Sequence, residues 1–112
     1  MGWVMLQQWS ATWLCGILNE YGVLSLTEEE LTFFPVPTGA FGLRRMRLEE
    51  IKEVVPESGW MFWHVVIKTD RETFQFRISG NVDDNVRQIR AAVAARKAHS
   101  LERGVGNLQS VR

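Results

Sequence analysis

The sequence predicts a mainly β domain that ends in one C-terminal α-helix. Three observations carry this. Apolar residues alternate with polar ones in short runs, which is the period of half-buried strands. Turn-forming residues separate these runs at short intervals. Only near the end does the period change, where Val82, Val86, Ile89 and Val93 recur at steps of four, three and four and form one helical stripe. A chain of 112 residues suits a single domain with one modest core.

The elements follow in order. Residues 1–9 form an N-terminal lead-in, where Trp3, Leu6 and Trp9 recur near helical spacing and allow a short amphipathic segment. Ser10 to Leu18 places Ala11, Trp13, Cys15 and Ile17 on one parity and reads as a strand. Asn19 to Gly22 reads as a turn, Val23 to Thr27 as the second strand, and Glu28 to Glu30 as a charged turn. Leu31 to Val36 is the third strand, ended by Pro35 and Pro37. Thr38 to Gly42 is a loop, and Leu43 to Leu48 a short strand. Ile51 to Val55 is a further strand that Pro56 stops. A helical turn competes with it, because Glu49, Glu50 and Lys52 are helix formers.

Trp60 to Thr69 and Glu72 to Ser79 make the clearest hairpin. Trp63, Val65 and Ile67 share a face in the first run, and Phe74, Phe76 and Ile78 in the second. Asn81 is a good N-cap, and Asp83 and Asp84 place negative charge at the positive end of the helix dipole. The helical period fades after Ala98. The domain therefore spans residues 10–97, and 98–112, with Gly104 and Gly106, reads as a flexible tail.

Composition narrows the function. Thirteen basic residues balance thirteen acidic ones, so no global field attracts nucleic acid. The single cysteine, Cys15, cannot form an internal disulfide, which points to a reducing, cytoplasmic location. Residues 1–19 carry no charged side chain, yet Gln7, Gln8, Ser10, Thr12 and Asn19 interrupt them, which argues against a signal peptide or membrane span. Cys15, His64 and His99 form neither a nucleophile–base pair nor a metal set. No phosphate loop or nucleotide fingerprint is present, so no enzyme activity, metal or cofactor is expected.

The stretch Gly22-Val23-Leu24-Ser25-Leu26-Thr27 followed by Leu31-Thr32-Phe33 resembles the G-x-L-x-L-T-x-x-x-L-x-F pattern of GRAM and bacterial PH-like domains. Met46 to Val54, and Val65 to Asp70 followed by Phe74-Gln75-Phe76, resemble their next elements. The resemblance covers residues 10–97 and departs where Arg71 and Glu72 replace the usual glycine of the late hairpin turn. It implies an antiparallel barrel of about seven strands closed by the helix, in a binding module without catalysis.

Two groups of residues are candidate sites. Arg44, Arg45 and Arg47 stand where the resemblance implies contacts to phosphoinositide phosphates, and arginine forks suit phosphate. The alternative is a solvated sheet edge that charge protects from aggregation. Trp60, Met61, Phe62 and Trp63 are four large apolar residues in a row, and a strand cannot turn all of them inward. Either some form a partner or membrane surface, with Trp3, Trp9 and Trp13 sharing in it, or they cover the outside of the barrel. The sequence favours a protein partner or homo-oligomer, with a peripheral membrane lipid as the alternative.

Overall fold

The computed structural model describes residues 5–15, 18–36, 43–59 and 61–111, with side chains described for these except Cys15, Leu18, Ser100 and 102–111. Trp3, Trp60 and the 38–42 loop lie outside the described residues. Seven strands form one antiparallel sheet: β1 Met5–Cys15, β2 Leu18–Thr27, β3 Glu30–Pro35, β4 Arg44–Arg47, β5 Ile51–Ser58, β6 Trp63–Thr69 and β7 Thr73–Ile78. The helix α1 spans Val82–Val111. The order across the sheet is β4-β3-β2-β1-β7-β6-β5.

The two edge strands, β4 and β5, are consecutive in the chain. Only the 3₁₀ turn Leu48–Glu50 separates them, so the sheet must curl strongly to bring its edges that close. The expected barrel nonetheless stays open, because β4 and β5 do not pair. Leu48, fully buried, fills the corner, and its N–H donates to the Glu29 carbonyl at 3.0 Å.

Inward-facing parity builds the core. Trp9, Ala11 and Trp13 of β1 face Leu24, Phe33, Phe74 and Phe76. Phe33 and Phe76 lie 5.5 Å apart between ring centroids, and Trp13 meets Phe33 edge-on at 6.1 Å. Such arrangements favour the edge-to-face charge distribution of aromatic rings.

Several boundaries differ from expectation, each for a physical reason. β1 begins at Met5 rather than Ser10, because Trp9 continues the inward parity of Ala11 and Trp13. Asn19–Gly22 is strand, not turn, since its residues pair with Leu14, Trp13, Thr12 and Ala11 of β1. Gly22 is needed inside β2: a Cβ there would lie 2.2 Å from the Phe34 carbonyl oxygen. Pro56 does not stop β5, because an edge strand has one side without ladder partners. The helix passes Ala98 and runs to Val111. Gly104 and Gly106 cost it about 1 kcal/mol each, a penalty that propagation along an established helix tolerates.

Both charged hairpin turns use one device in place of glycine. The Thr27 hydroxyl accepts the N–H groups of Glu29 and Glu30 and donates to the Glu30 carbonyl. Thr69 does the same for Arg71, Glu72 and the Glu72 carbonyl. A threonine hydroxyl thus replaces backbone freedom at the late hairpin.

The helix begins as expected. Gly80 adopts a left-handed φ of 89°, and the Asn81 side chain accepts the Asp84 N–H at 3.1 Å. Val86, Ile89, Ala92 and Val93 bury against the open side of the sheet. Arg90 donates to the Val54 carbonyl at 2.7 Å, capping an edge-strand acceptor. Arg96 bridges to Glu49 at 3.1 Å and Glu29 at 3.5 Å. The Glu49 carboxyl is held below its ordinary value, first by a hydrogen bond at its own backbone and then by Arg96 and Arg47, against the opposing effect of burial.

Candidate functional site: an aromatic ridge beside an open groove

The connection between β5 and β6 is short and tightly made. The Gly59 N–H donates to the Phe62 carbonyl at 2.9 Å. A Cβ at Gly59 would lie 2.7 Å from that carbonyl oxygen, so only glycine permits the closure. His64 follows, and its Nε2 lies 2.9 Å from the Glu57 carboxylate across the strand pair. The turn therefore projects Met61, Phe62 and Trp63 outward, at 67%, 52% and 55% exposure. Trp63 has the parity of Val65 and Ile67 but stands at the start of β6, past the end of the core. The guanidinium of Arg77 lies 4.3 Å from the centre of the Phe62 ring, a cation–π contact at the surface.

A groove of about 1050 Å³ runs beside this ridge. Met61, Phe62 and Trp63 form one wall, and Tyr21 and Val36 the other. The Val36 N–H donates to the Tyr21 carbonyl at 2.9 Å, which joins the second wall across β2 and β3. Ser10, Thr12, Arg77 and Ser79 contribute polar groups from the central strands, and Gly80 to Asp83 close one end at the start of α1. Apolar walls with a few fixed polar groups suit the binding of a side chain or peptide, with hydrogen bonds setting its orientation.

The predicted site residues divide. Met61, Phe62 and Trp63 form the exposed ridge. Trp9 does not belong to a partner surface, and neither does Trp13: both are 8% exposed and sit in the core, because their parity on β1 points them inward. Tyr21 and Val36 were not legible as site residues, since Asn19 and Gly22 marked Tyr21 as part of a turn and Val36 as a strand end. Extending the alternation of β2 back through Gly22 would have placed Tyr21 on the outer face, opposite Thr12.

The three arginines do not form one cluster. Arg45 and Arg47 share the outer parity of β4, each 3.9 Å from a carboxylate, Glu30 and Glu49 respectively. Arg44 has the inner parity of Met46 and lies 5.0 Å from the centre of the Trp13 ring. Its Nε is buried without a hydrogen-bond partner among the described residues.

No protein-family model matches the chain, and no curated protein is significantly similar to it. Its fold does recur. The chain is similar to the C-terminal domain of an unknown protein from Leishmania infantum, with a TM-score of 0.71 and 17% sequence identity over 82% of this chain and 85% of that one. At that identity the likeness is one of fold alone. Among the described residues, no helix is long and apolar enough to cross a membrane.

Proposed function

We propose that the chain is a non-catalytic, PH/GRAM-like binding module that mediates protein interaction or self-association through its aromatic surface. The observation that carries this reading is the Met61-Phe62-Trp63 ridge, three large apolar side chains held outward beside a groove. Exposed apolar patches of this kind are costly to leave in water and are enriched at interfaces. The strand order β4-β3-β2-β1-β7-β6-β5 and the closing helix support the PH-like part of the reading. The phosphoinositide alternative draws less support, because Arg45 and Arg47 face glutamates and Arg44 lies on the other parity.

A photo-crosslinking phenylalanine analogue at position 63, introduced in cells, tests the reading. Irradiation is expected to give discrete protein adducts at position 63 and none with the same residue at Lys68, an exposed position away from the ridge. An absence of adducts at position 63 would count against the proposal.

A further inference from the structure

The chemistry of what enters the groove can be specified, and the specification rests on the binding-module reading above. We infer that the groove receives an acidic, extended peptide segment of a partner protein, with a carboxylate on Arg77 and a neighbouring apolar side chain between the aromatic ridge and Tyr21. Arg77 lines the groove and is exposed. Most cations of the sheet and helix are answered within the chain. Arg45, Arg47, Lys52, Lys68, Arg87 and Arg96 each stand in an ion pair with a carboxylate, and Arg90 donates to the Val54 carbonyl. Arg77 has no carboxylate or carbonyl partner among the described residues, and what it meets is the Phe62 ring. A cation–π contact uses the charge of the guanidinium and leaves its N–H fork free for the two oxygens of a carboxylate.

The other groups of the groove narrow the partner. Asp83 is exposed at the end where α1 begins, so a second acidic group is disfavoured there and a basic one favoured. A cation among the central strands and a carboxylate at one end give an entering chain a direction. Ser10 and Ser79, both exposed, offer hydroxyls that serve the N–H and C=O groups of an extended backbone. An open groove of about 1050 Å³ covers one side of such a chain rather than enclosing a small molecule. A neutral membrane would answer Met61, Phe62 and Trp63 but bring no anion to Arg77. A peptide that pairs an acidic with an apolar side chain answers both.

Selection from a phage-displayed library of random peptides tests the inference, on the full chain as wild type, Arg77→Gln and Arg77→Glu. Circular dichroism and thermal melting check that each variant is folded. Wild-type selections are expected to enrich peptides with an Asp or Glu beside a large apolar residue. A synthetic copy of the enriched peptide should bind at least about tenfold more weakly to Arg77→Gln, the loss of a hydrogen bond to a charged group, and more weakly to wild type as salt rises. Arg77→Glu should shift the selected acidic position to Lys or Arg. Enriched peptides without an acidic position overturn the inference, as does an acidic preference that both folded variants retain. Either result, obtained alongside position-63 adducts in cells, spares the binding-module reading. No enrichment overturns the inference as well, and together with an absence of adducts it removes that reading too. Sedimentation of the chain with neutral vesicles, without peptide enrichment, would assign the face to a membrane and overturn the inference.

Discussion

The helix-covered edge and the aromatic ridge handle apolar surface in opposite ways. At β5 the chain supplies its own cover: Val86, Ile89 and Val93 bury against the sheet, and Arg90 caps the Val54 carbonyl. At Met61–Trp63 the side chains stand exposed among the described residues, yet a glycine, a backbone hydrogen bond and an arginine contact all meet Phe62. Surface left over from folding has no need of such support. On the proposed reading the first region serves stability and the second recognition, and substitutions should separate the two.

Phe76→Ala carries the largest expected effect. Phe76 is fully buried and meets Phe33 and Phe74, so its truncation should cost about 3–5 kcal/mol in chemical denaturation. Gly22→Ala comes next. Its new Cβ would collide with the Phe34 backbone rather than a yielding side chain, and about 1–3 kcal/mol should be lost. Arg90→Ala should cost about 1 kcal/mol by uncapping the Val54 carbonyl, with no change in association at the ridge. That last outcome sharpens the comparison, because it touches only the covered edge.

The pH dependence tests the same edge more finely. The Glu49 carboxyl lies below its ordinary value in the folded chain. Its contribution to stability is therefore complete above the unfolded carboxylate pKa and is lost as pH falls through the folded one. Arg96→Gln should flatten the acid limb of the stability curve, and Glu49→Gln should remove this contribution altogether, as read by urea unfolding over a pH series.

Much of the fold was legible because it rests on local patterns. The alternation of Phe74, Phe76 and Ile78, the stripe Val82-Val86-Ile89-Val93 and the Asn81 cap each encode their element within a few residues. Strand lengths were less legible where pairing across the sheet decides them. Gly22 looked like a turn because its role is to let the Phe34 carbonyl approach, which only the β2–β3 register reveals. Pro56 looked like a stop because nothing local marks β5 as an edge strand. The site was half legible. Four consecutive large apolar residues could not all be buried, and that local excess identified the ridge. The opposite wall, Tyr21 and Val36, comes from elsewhere in the chain, and the carboxylate beside Arg45 comes from Glu30 of β3. These depend on tertiary placement, which no spacing along the chain encodes.

On the proposed reading Met61, Phe62 and Trp63 serve recognition rather than the core. The most direct measurement replaces all three with serine and compares urea unfolding and position-independent chemical cross-linking with the wild type. The expected result is a stability within about 1 kcal/mol of wild type, the worth of the lost Arg77–Phe62 contact, together with loss of any cross-linked species. A stability loss of several kcal/mol, of the size expected for core residues, would contradict it.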